Sequence, residues 1–425
     1  MKEYKPRIAD TLLRRKLQGM GAVLIQGPKW CGKTTTAEQC AGSILYMDHP
    51  DTMRQNLELA RITPRKLLLG DTPRLIDEWQ LAPQLWDTIR FEVDHREGLG
   101  NFILTGSSVP ADTSCIHHSG AGRFAWLTMR TMSLYESGDS NGQISLKQLF
   151  EESEKDFFGT ASLTLDDIAW LVCRGGWPRA TMLDKDVALD LAFDYYDAVV
   201  NSDISRVDGV SRDTERAKRI LRSLARNQAA QVNINTICSD IRTNESAEDV
   251  RKTVADYIDA LKKMFVVEDM HAWNPNLRSK TAVRTSDTRY YVDPSIGVAA
   301  LGLGPNDLIN NLNTFGLFFE TMCIRDLRVY ADALDGTVYH YRDKNGLECD
   351  AVVHLRNGSY GLIEIKLGGD TWIEEGAKTL KTLAGLIDTT RMKAPSFCMV
   401  LTGVGNYAYR RQDGVYVVPV GCLKD

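Results

Sequence analysis

The chain lacks the features of disulfide-stapled and zinc-binding proteins. Its 425 residues include nine cysteines, but no two of them form a C-x-x-C pair. Scattered cysteines without a framework indicate reduced thiols in a reducing compartment. Among the seven histidines only His117 and His118 are adjacent, and no zinc-ligand spacing occurs. These absences exclude a disulfide scaffold and a zinc module.

Long hydrophobic runs are also missing. A helix that spans a bilayer needs about 20 consecutive apolar residues, and the apolar runs here are much shorter. The N-terminal sequence MKEYKPRIADTLLRRKL is charged and lacks the apolar core of a secretory signal. We therefore expect a cytoplasmic protein without membrane contact.

Charge of one sign does not dominate the composition. The net charge is −5, with 43% hydrophobic and 25% charged residues, which is typical of globular proteins. This balance argues against a protein whose surface is basic throughout and binds nucleic acid over most of its area. The length predicts two to four domains.

A phosphate-binding loop is the strongest motif present. GAVLIQG reads as a buried parallel strand, and a helix-like segment follows the loop. The pattern G-x-x-x-x-G-K-[ST] is matched by Gly27, Gly32, Lys33 and Thr34. Glycines let backbone N–H groups turn toward phosphates, lysine neutralises phosphate charge, and the hydroxyl holds Mg²⁺. These residues, with Thr35, are the predicted site for ATP and Mg²⁺.

A second acidic motif follows in PRLIDEWQLAP. Leu75 and Ile76 end a short strand, and Asp77 follows as the expected Mg²⁺ carboxylate. Glu78 is placed where a base could polarise the attacking water. Taken alone, an Asp-Glu pair at a strand end often marks only a helix start. Its position after a phosphate loop favours the catalytic interpretation.

The strand NFILTGSS ends in hydroxyls. Thr105 and Ser107 could touch the γ-phosphate or its water, or could simply form a polar turn. With SILYMD and RFAWLTM, five strands alternate with helical segments. This pattern predicts an α/β fold, a doubly wound parallel sheet with ligands at the carboxyl ends of the strands.

Together these motifs resemble the AAA-type P-loop ATPases of bacteria and archaea that carry a C-terminal domain of unknown function. The likeness rests on GPKWCGKTTTAEQ, LIDEWQLAP, FILTGSS and GRFAWLTMRTMSLYE and covers most of the chain. It implies that Arg123 is an arginine finger or sensor, although a surface arginine is the alternative. GGWPRA is similar to a lid turn in related signal-transduction ATPases, which would place Pro178 near the adenine. Trp30 departs from the smaller residues usual in the loop.

The middle of the chain has the element order of a winged helix. Residues 161–210 read as a helical lid. A helix, a short helix, a longer helix and β-strands then follow over 211–300. The basic residues that could face DNA phosphates are Arg251, Lys252, Lys262, Lys263, Arg278, Lys280 and Arg284. Aspartates lie among them, so an ordinary solvated helix face or a protein-binding surface is the alternative.

A C-terminal hairpin, GLECDAVVHLRNGSYGLIEIKLGG, alternates apolar and charged residues. A three-residue Arg-Asn-Gly loop with Gly358 in the left-handed region pairs Ala351 with Ile363 and keeps one face apolar. That register brings together Asp350, Glu364 and Lys366.

The pattern D…E-x-K resembles the metal site of PD-(D/E)xK nucleases. In that resemblance Glu320 matches an additional helix glutamate. Asp350 and Glu364 would hold Mg²⁺, and Lys366 would orient water or steady the phosphate. The alternative is an exposed Glu–Lys pair beside an aspartate, which contributes little to stability.

Four domains and three functions follow from these motifs. The predicted domains are a P-loop ATPase core (1–160), a lid (161–210), a winged helix (211–300) and a nuclease-like domain (301–425). We predict an ATPase that couples Mg-ATP to the C-terminal modules, with DNA, a partner protein or a second copy of the chain as partners. The alternatives are an ATP-gated nuclease and a module that binds ATP without hydrolysis.

Overall fold

The structure is a computed structural model that describes residues 4–107, 116, 118–152, 154–231, 234–241, 246–274 and 287–425. The chain divides into two compact units. The first unit consists of Met1–Thr131, Ala198–Thr214 and Tyr257–Val266. The second unit consists of Met132–Asp197, Glu215–Asp256 and Val267–Asp425. Each unit has a β-sheet of its own.

The first unit contains a five-stranded parallel sheet in the order β2-β3-β4-β1-β5. The strands are β1 (Ala22–Gln26), β2 (Ser43–Tyr46), β3 (Arg74–Asp77), β4 (Phe102–Gly106) and β5 (Phe124–Thr128). All five are the segments that the sequence predicts, and the α/β fold class is confirmed. The strands that carry Asp77 and Thr105 are neighbours, and β1 leads directly into the phosphate loop.

Alternate residues of these strands enter two separate hydrophobic clusters. Leu24 and Leu104 pack with Trp86 on one face of the sheet, while Ile25 and Ile103 pack on the other. Because side chains alternate along a strand, a sheet covered on both faces needs apolar residues at successive positions. The continuous runs AVLI and FIL meet this need.

Helices cover both faces of this sheet. Those of the first unit are α1 (Ile8–Gly19), α2 (Lys33–Glu38), α3 (Met53–Ile62) and α4 (Leu85–His95), with 3-10 turns at Pro64–Leu68 and Trp79–Leu81. Helix α1 buries Leu13 and Leu17 in one cluster, and α4 buries Ile89 in the other.

The second unit is built around a mixed seven-stranded sheet in the order β10-β11-β12-β13-β15-β14-β7. The remaining strands are β6 (Ile144–Ser145), β7 (Gly159–Thr160), β8 (Val267–Met270), β9 (Thr288–Tyr291), β10 (Gly336–Arg342), β11 (Glu348–Leu355), β12 (Tyr360–Lys366), β13 (Phe397–Thr402), β14 (Tyr407–Arg410), β15 (Tyr416–Pro419) and β16 (Leu423–Lys424). Strand β12 is antiparallel to β11 and parallel to β13. Strands β8 and β9 form a separate pair, as do β6 and β16.

Helices flank the mixed sheet and fill the middle of the chain. They are α5 (Leu134–Ser137), α6 (Leu146–Glu151), α7 (Leu165–Arg174), α8 (Lys185–Ala198), α9 (Ile204–Arg206), α10 (Thr214–Arg226), α11 (Ile234–Asp240), α12 (Ala247–Lys263), α13 (Pro294–Leu301), α14 (Pro305–Asn310), α15 (Leu312–Ala333) and α16 (Asp370–Leu386). Further turns are 3-10 at Ala180–Met182 and Val420–Cys422 and π-helical at Val199–Asp203. Helix α16 packs on β11–β13 through an apolar cluster that includes Leu380 and Val400. In the described part of the chain, no helix is long and apolar enough to cross a membrane.

A buried charged cluster ties three segments of the second unit together. Arg325 on α15 contacts the carboxylates of Asp293 at 3.1 Å and Asp326 at 2.8 Å. Asp293 also accepts the Gly176 N–H at 2.8 Å, and Asp326 accepts the Leu134 N–H at 3.0 Å. All three charged side chains are buried, so each depends on the others for compensation.

Replacing Arg325 with methionine should destabilise the protein strongly. The substitution leaves the buried carboxylates of Asp293 and Asp326 without their cation, at an expected cost of about 3–5 kcal/mol. Urea unfolding measures the change in the free energy of unfolding. Arg391→Met is the matched control, because the Arg391–Asp388 pair is exposed and should contribute less than about 1 kcal/mol. Equal losses in both variants would contradict this account of the cluster.

Candidate functional site

The phosphate loop joins β1 to α2 and depends on two glycines with positive φ. Gly27 has a φ of 151° and Gly32 a φ of 100°. A Cβ atom on Gly27 would lie 2.0 Å from the carbonyl oxygen of Met129, so no other residue fits there without displacing backbone. The spacing of these glycines is therefore required by local geometry.

Lys33 is the buried cation of the loop. Its ammonium donates hydrogen bonds to the carbonyl oxygens of Gly27 at 2.9 Å and Pro28 at 2.7 Å. The side chain is thus folded back along the loop that its motif assigns to phosphate. A bound phosphate would have to compete with these two carbonyls for the lysine.

Asp77 is the central acceptor at the carboxyl edge of the sheet. Its Oδ1 accepts hydrogen bonds from Thr34 Oγ1 at 2.7 Å and from Thr105 Oγ1 at 2.5 Å. Asp77 and Thr105 are buried. The adjacent strands β3 and β4 and the start of α2 therefore converge on one carboxylate. Hydroxyl and carboxylate oxygens suit Mg²⁺, so Thr34 and Asp77 fit the predicted metal role.

Glu78 follows Asp77 in a left-handed conformation with a φ of 54°. Non-glycine residues rarely adopt this region, and such positions concentrate at functional sites. Its carboxylate accepts a hydrogen bond from Gln80 Nε2. Burial, and next the charge of Asp77, raise the pKa of Glu78. Such a carboxylate is more basic than an exposed one, which suits a proton acceptor.

The other predicted residues of the loop region differ in position. Thr105 binds Asp77, so in this structure it orients the carboxylate, and its contact with the γ-phosphate stays a prediction. Ser107 is buried just beyond β4, at the same edge of the sheet. Thr35 is exposed on α2.

Arg123 lies at the edge formed by the amino ends of the parallel strands, whereas the phosphate loop follows the carboxyl end of β1. It directly precedes β5, and its carbonyl oxygen accepts the N–H of Ala22 at the start of β1. At about 3.3 Å per residue, β1 spans roughly 16 Å between that edge and the loop. The guanidinium binds Asp94 at 2.9 Å. Arg123 is therefore not brought to the phosphate loop of its own chain, and a role in a second copy stays a prediction.

Pro178 belongs to the second unit and lies between α7 and the 3-10 turn at Ala180–Met182. The preceding Gly175 has a φ of 71°, and the Gly176 carbonyl accepts the N–H of Met132. A Cβ atom on Gly176 would lie 2.1 Å from the Met132 carbonyl oxygen, so both positions of the turn favour glycine. The predicted position of Pro178 near adenine stays a prediction.

Sequence reasoning missed an ion pair of the phosphate loop. Lys29 Nζ lies 2.6 Å from Asp203 Oδ1, within the first unit. A lysine inside the loop was the available signal. Asp203 could not be found in this way because it is 174 residues away in the chain.

The C-terminal hairpin has the predicted register. Ala351 pairs with Ile363, and Gly358 has a φ of 83°. The three-residue loop from Arg356 to Gly358 closes with the Leu355 N–H donated to the Ser359 carbonyl at 2.8 Å. This register places Asp350 opposite Glu364.

The three charged residues of the hairpin are brought together. Lys366 Nζ lies 2.8 Å from Glu364 Oε2 and 3.6 Å from Asp350 Oδ2. Asp350 Oδ2 also accepts the N–H of Ile365 at 2.7 Å. Burial, reinforced by Asp350, raises the pKa of Glu364 to about 8, although Lys366 opposes the shift. The pair is therefore not the freely exposed one of the alternative interpretation.

Glu320 on α15 joins the electrostatic environment of this cluster. The Tyr290 hydroxyl donates to Glu320 Oε1 at 2.6 Å. Burial, and next the charge of Asp350, raise the pKa of Glu320 well above its usual range. Within the described ranges, no three histidine, cysteine, aspartate or glutamate side chains converge closely enough to hold a metal ion. A cation at Asp350 and Glu364 would need water or backbone oxygens as further ligands.

The helices and strands from α10 to β9 follow the predicted order. Arg251 and Lys252 are exposed on α12, in the second unit. Lys263, at the end of the same helix and in the first unit, lies 3.9 Å from Asp208. Arg278, Lys280 and Arg284 fall outside the described residues. Assignment as a winged helix stays a prediction.

Three family descriptions match consecutive parts of the chain. Residues 20–138 match the family described as AAA domain. Residues 165–307 match Domain of unknown function (DUF8612), and residues 315–423 match Domain of unknown function (DUF4143). Residues 20–138 include the parallel sheet, the phosphate loop and Asp77. This match supports a P-loop ATPase domain in this part of the chain.

Similar proteins span most of the chain. Uncharacterized protein Mb2031c of Mycobacterium bovis and Uncharacterized protein Rv2008c of Mycobacterium tuberculosis are each 23% identical over 363 residues, 85% of this chain and 73% of theirs. Among solved structures, the Walker-type ATPase paby2304 of Pyrococcus abyssi aligns with a TM-score of 0.41 and 14% identity. The alignment covers 69% of this chain and 94% of that one.

Removing the loop lysine should abolish tight ATP binding. In Lys33→Ala no ammonium is left for the phosphates, and we expect ATP affinity to fall about tenfold to hundredfold, as for the loss of a charged hydrogen-bond donor. Calorimetry with Mg-ATP measures the dissociation constant. Lys378→Ala on α16, where the lysine is exposed, should bind like the unaltered protein. Retention of full affinity by Lys33→Ala would refute the phosphate-loop assignment.

Proposed function

We propose that this chain is an Mg²⁺-dependent ATPase whose nucleotide site lies at the carboxyl edge of the parallel sheet. The observation that carries the proposal is the convergence of Thr34 and Thr105 on Oδ1 of Asp77, beside the buried Lys33. Three segments distant in sequence supply the hydroxyls, carboxylate and ammonium that a phosphate–metal complex requires. The AAA-domain match over residues 20–138 supports the same function.

The roles of the residues follow from their positions. Backbone N–H groups of the loop between Gly27 and Gly32 bind phosphate oxygens, and Lys33 leaves its two carbonyl partners to neutralise them. Thr34 and Asp77 are the residues that would hold Mg²⁺, and Thr105 keeps the carboxylate oriented. The metal supplies charge neutralisation of the phosphates when it is bound.

Glu78 is the proposed general base. Its raised pKa makes the carboxylate a stronger proton acceptor than an exposed glutamate. In hydrolysis, water attacks the γ-phosphorus, the water proton passes to Glu78, and the bond to the bridging oxygen breaks to release ADP. Gln80, which donates to Glu78, holds the carboxylate before the reaction.

Turnover should depend on Glu78 while nucleotide binding does not. Glu78→Gln keeps the shape of the side chain but removes the proton acceptor. We expect the rate of phosphate release to fall about 10²- to 10⁴-fold, the usual range for a general base. Calorimetry should give an unchanged ATP affinity. Glu97→Gln, an exposed position after α4, is the control, and an unchanged rate in Glu78→Gln would remove Glu78 from the mechanism.

The proposal extends to domains and partners. The proposed domains are an ATPase core (1–160), a lid (161–210) with Pro178 near the base, a winged helix (211–300) and a nuclease-like domain (301–425). Residues 132–160 of the proposed core belong to the second compact unit. Nucleotide turnover would alter the state of the C-terminal modules, with DNA or a protein partner at the winged helix. Arg123, exposed beside Asp94, would serve the site of a second copy if it acts as a finger.

The second candidate function is an ATP-gated, metal-dependent DNA nuclease. The specific observation in its favour is the contact of Lys366 with both Glu364 and Asp350, in a hairpin whose register matches the D…E-x-K pattern. The two carboxylates supply oxygen ligands of the kind that a divalent cation prefers. Glu320 adds a third acidic group nearby. Lys366 would then orient the attacking water or stabilise the phosphate.

Plasmid cleavage tests this second candidate. The protein should nick supercoiled plasmid with Mg²⁺ or Mn²⁺ and ATP, and Lys366→Ala should lower the rate at least about 100-fold because the site loses the ammonium that contacts both carboxylates. Agarose gels measure the loss of supercoiled DNA. Lys381→Ala on the exposed face of α16 should cut at the normal rate. Equal cutting by Lys366→Ala, or no cutting under any of these conditions, would exclude the nuclease function.

A further inference from the structure

Lys29 gives the phosphate loop a second lysine, and this one faces a carboxylate from a distant segment. It is the second residue after Gly27, directly after Pro28. Its ammonium forms an ion pair with Asp203 at 2.6 Å, with side chains 46% and 13% exposed. The ion pair therefore connects the phosphate loop to a segment 174 residues away in the chain.

Asp203 ends an irregular helical turn. The π-helical stretch Val199–Asp203 lies between α8 and the short helix α9. Val199 and Ile204 are buried, so the backbone of the turn is anchored while Asp203 reaches the loop. Single π-turns of this kind occur frequently at functional sites.

The segment that carries Asp203 is tied to the end of α12. Arg212 donates to both oxygens of Asp208 at 2.7 and 2.8 Å and to the Ile204 carbonyl at 2.7 Å. The Tyr257 hydroxyl donates to the Asp213 carbonyl at 3.2 Å. All of these residues belong to the first unit. The loop, the turn at 199–206 and the last turns of α12 therefore form one chain of contacts.

Binding of a triphosphate would disturb the Lys29–Asp203 pair. Phosphate oxygens must draw Lys33 away from the carbonyls of Gly27 and Pro28. Lys29 directly follows Pro28, so it belongs to the part of the loop that this change affects. A lysine ammonium lies at the end of a flexible stem and can turn to a new partner. A γ-phosphate with two negative charges attracts that ammonium more strongly than a single carboxylate at similar exposure.

We propose that Lys29 distinguishes nucleoside triphosphate from diphosphate by exchanging Asp203 for the γ-phosphate, which releases the 199–206 segment from the loop. The inference rests on the proposed ATPase function and names how that site reports its nucleotide. A nucleoside diphosphate lacks the γ-phosphate, which is the group placed to reach Lys29 in this proposal, and leaves the ion pair closed. Release of the 199–206 segment then alters the contacts that hold the end of α12.

Two single variants should change ATP affinity in opposite directions. Lys29→Gln loses the ammonium that would bind the γ-phosphate, so we expect ATP affinity to fall about five- to tenfold while ADP affinity changes less than about twofold. Asp203→Asn removes the competitor, and ATP affinity should rise about two- to fivefold, the usual strength of an exposed ion pair. The double variant should resemble Lys29→Gln. Calorimetry with Mg-ATP and Mg-ADP measures all four proteins.

Hydrogen exchange of residues 199–206 provides a readout other than affinity. A non-hydrolysable ATP analogue should speed exchange there in the unaltered protein, and ADP should not. Asp203→Asn should exchange fast without nucleotide. Glu215→Gln, which removes the same charge from the exposed Lys218–Glu215 pair, is the control and should behave as the unaltered protein.

The outcomes separate this inference from the ATPase function. Suppose that the unaltered protein binds ATP, but that Lys29→Gln and Asp203→Asn shift ATP affinity in the same direction or not at all. Only the exchange mechanism is then refuted, and the ATPase function stands. Slower exchange of 199–206 with the ATP analogue would refute it as well. If the unaltered protein binds neither nucleotide, the proposed function and the exchange mechanism both fail.

Discussion

The carboxylate of Asp77 is the contact on which the nucleotide site depends. One oxygen accepts hydroxyl protons from Thr34 and Thr105, so the start of α2 and the ends of β3 and β4 are fixed to one point. Hydrogen bonds to a charged acceptor are roughly twice as strong as neutral ones. The parallel sheet makes this convergence possible, because its strands all end at the same edge. The fold thus delivers the oxygen groups that a phosphate-bound metal needs.

Most of the first unit could be predicted because short-range patterns determine it. The runs AVLI and FIL are apolar at successive positions, as expected for strands of a sheet that is covered on both faces. The loop glycines follow from backbone geometry, since a Cβ on Gly27 would collide with Met129. In the second unit the hairpin register followed from the same logic. A two-residue turn would have placed charged residues in an apolar face.

Three features needed the tertiary structure, or a step that pattern matching omits. Arg123 directly precedes β5, and the phosphate loop follows the parallel neighbour β1. The topology alone therefore places Arg123 at the amino ends of the strands and the loop at their carboxyl ends, and motif matching did not take this into account. The left-handed conformation of Glu78 has no signature in the sequence, because Asp-Glu pairs are common. The partner of Lys29 lies in a remote segment, and pairings across such separations leave no periodicity to detect.

In each candidate site the lysine ammonium contacts oxygen atoms of the same site. Lys33 donates to two carbonyls of its loop, and Lys366 contacts two carboxylates of its hairpin. Buried charges require such partners, since an unpaired one costs several kcal/mol. A ligand at either site must therefore outcompete an internal contact, and the observed affinity is the difference between the two. Each site therefore selects ligands that carry more negative charge than the protein oxygen atoms they displace from the lysine. A triphosphate with its metal meets that condition at Lys33 in a way that a neutral ligand of equal size cannot.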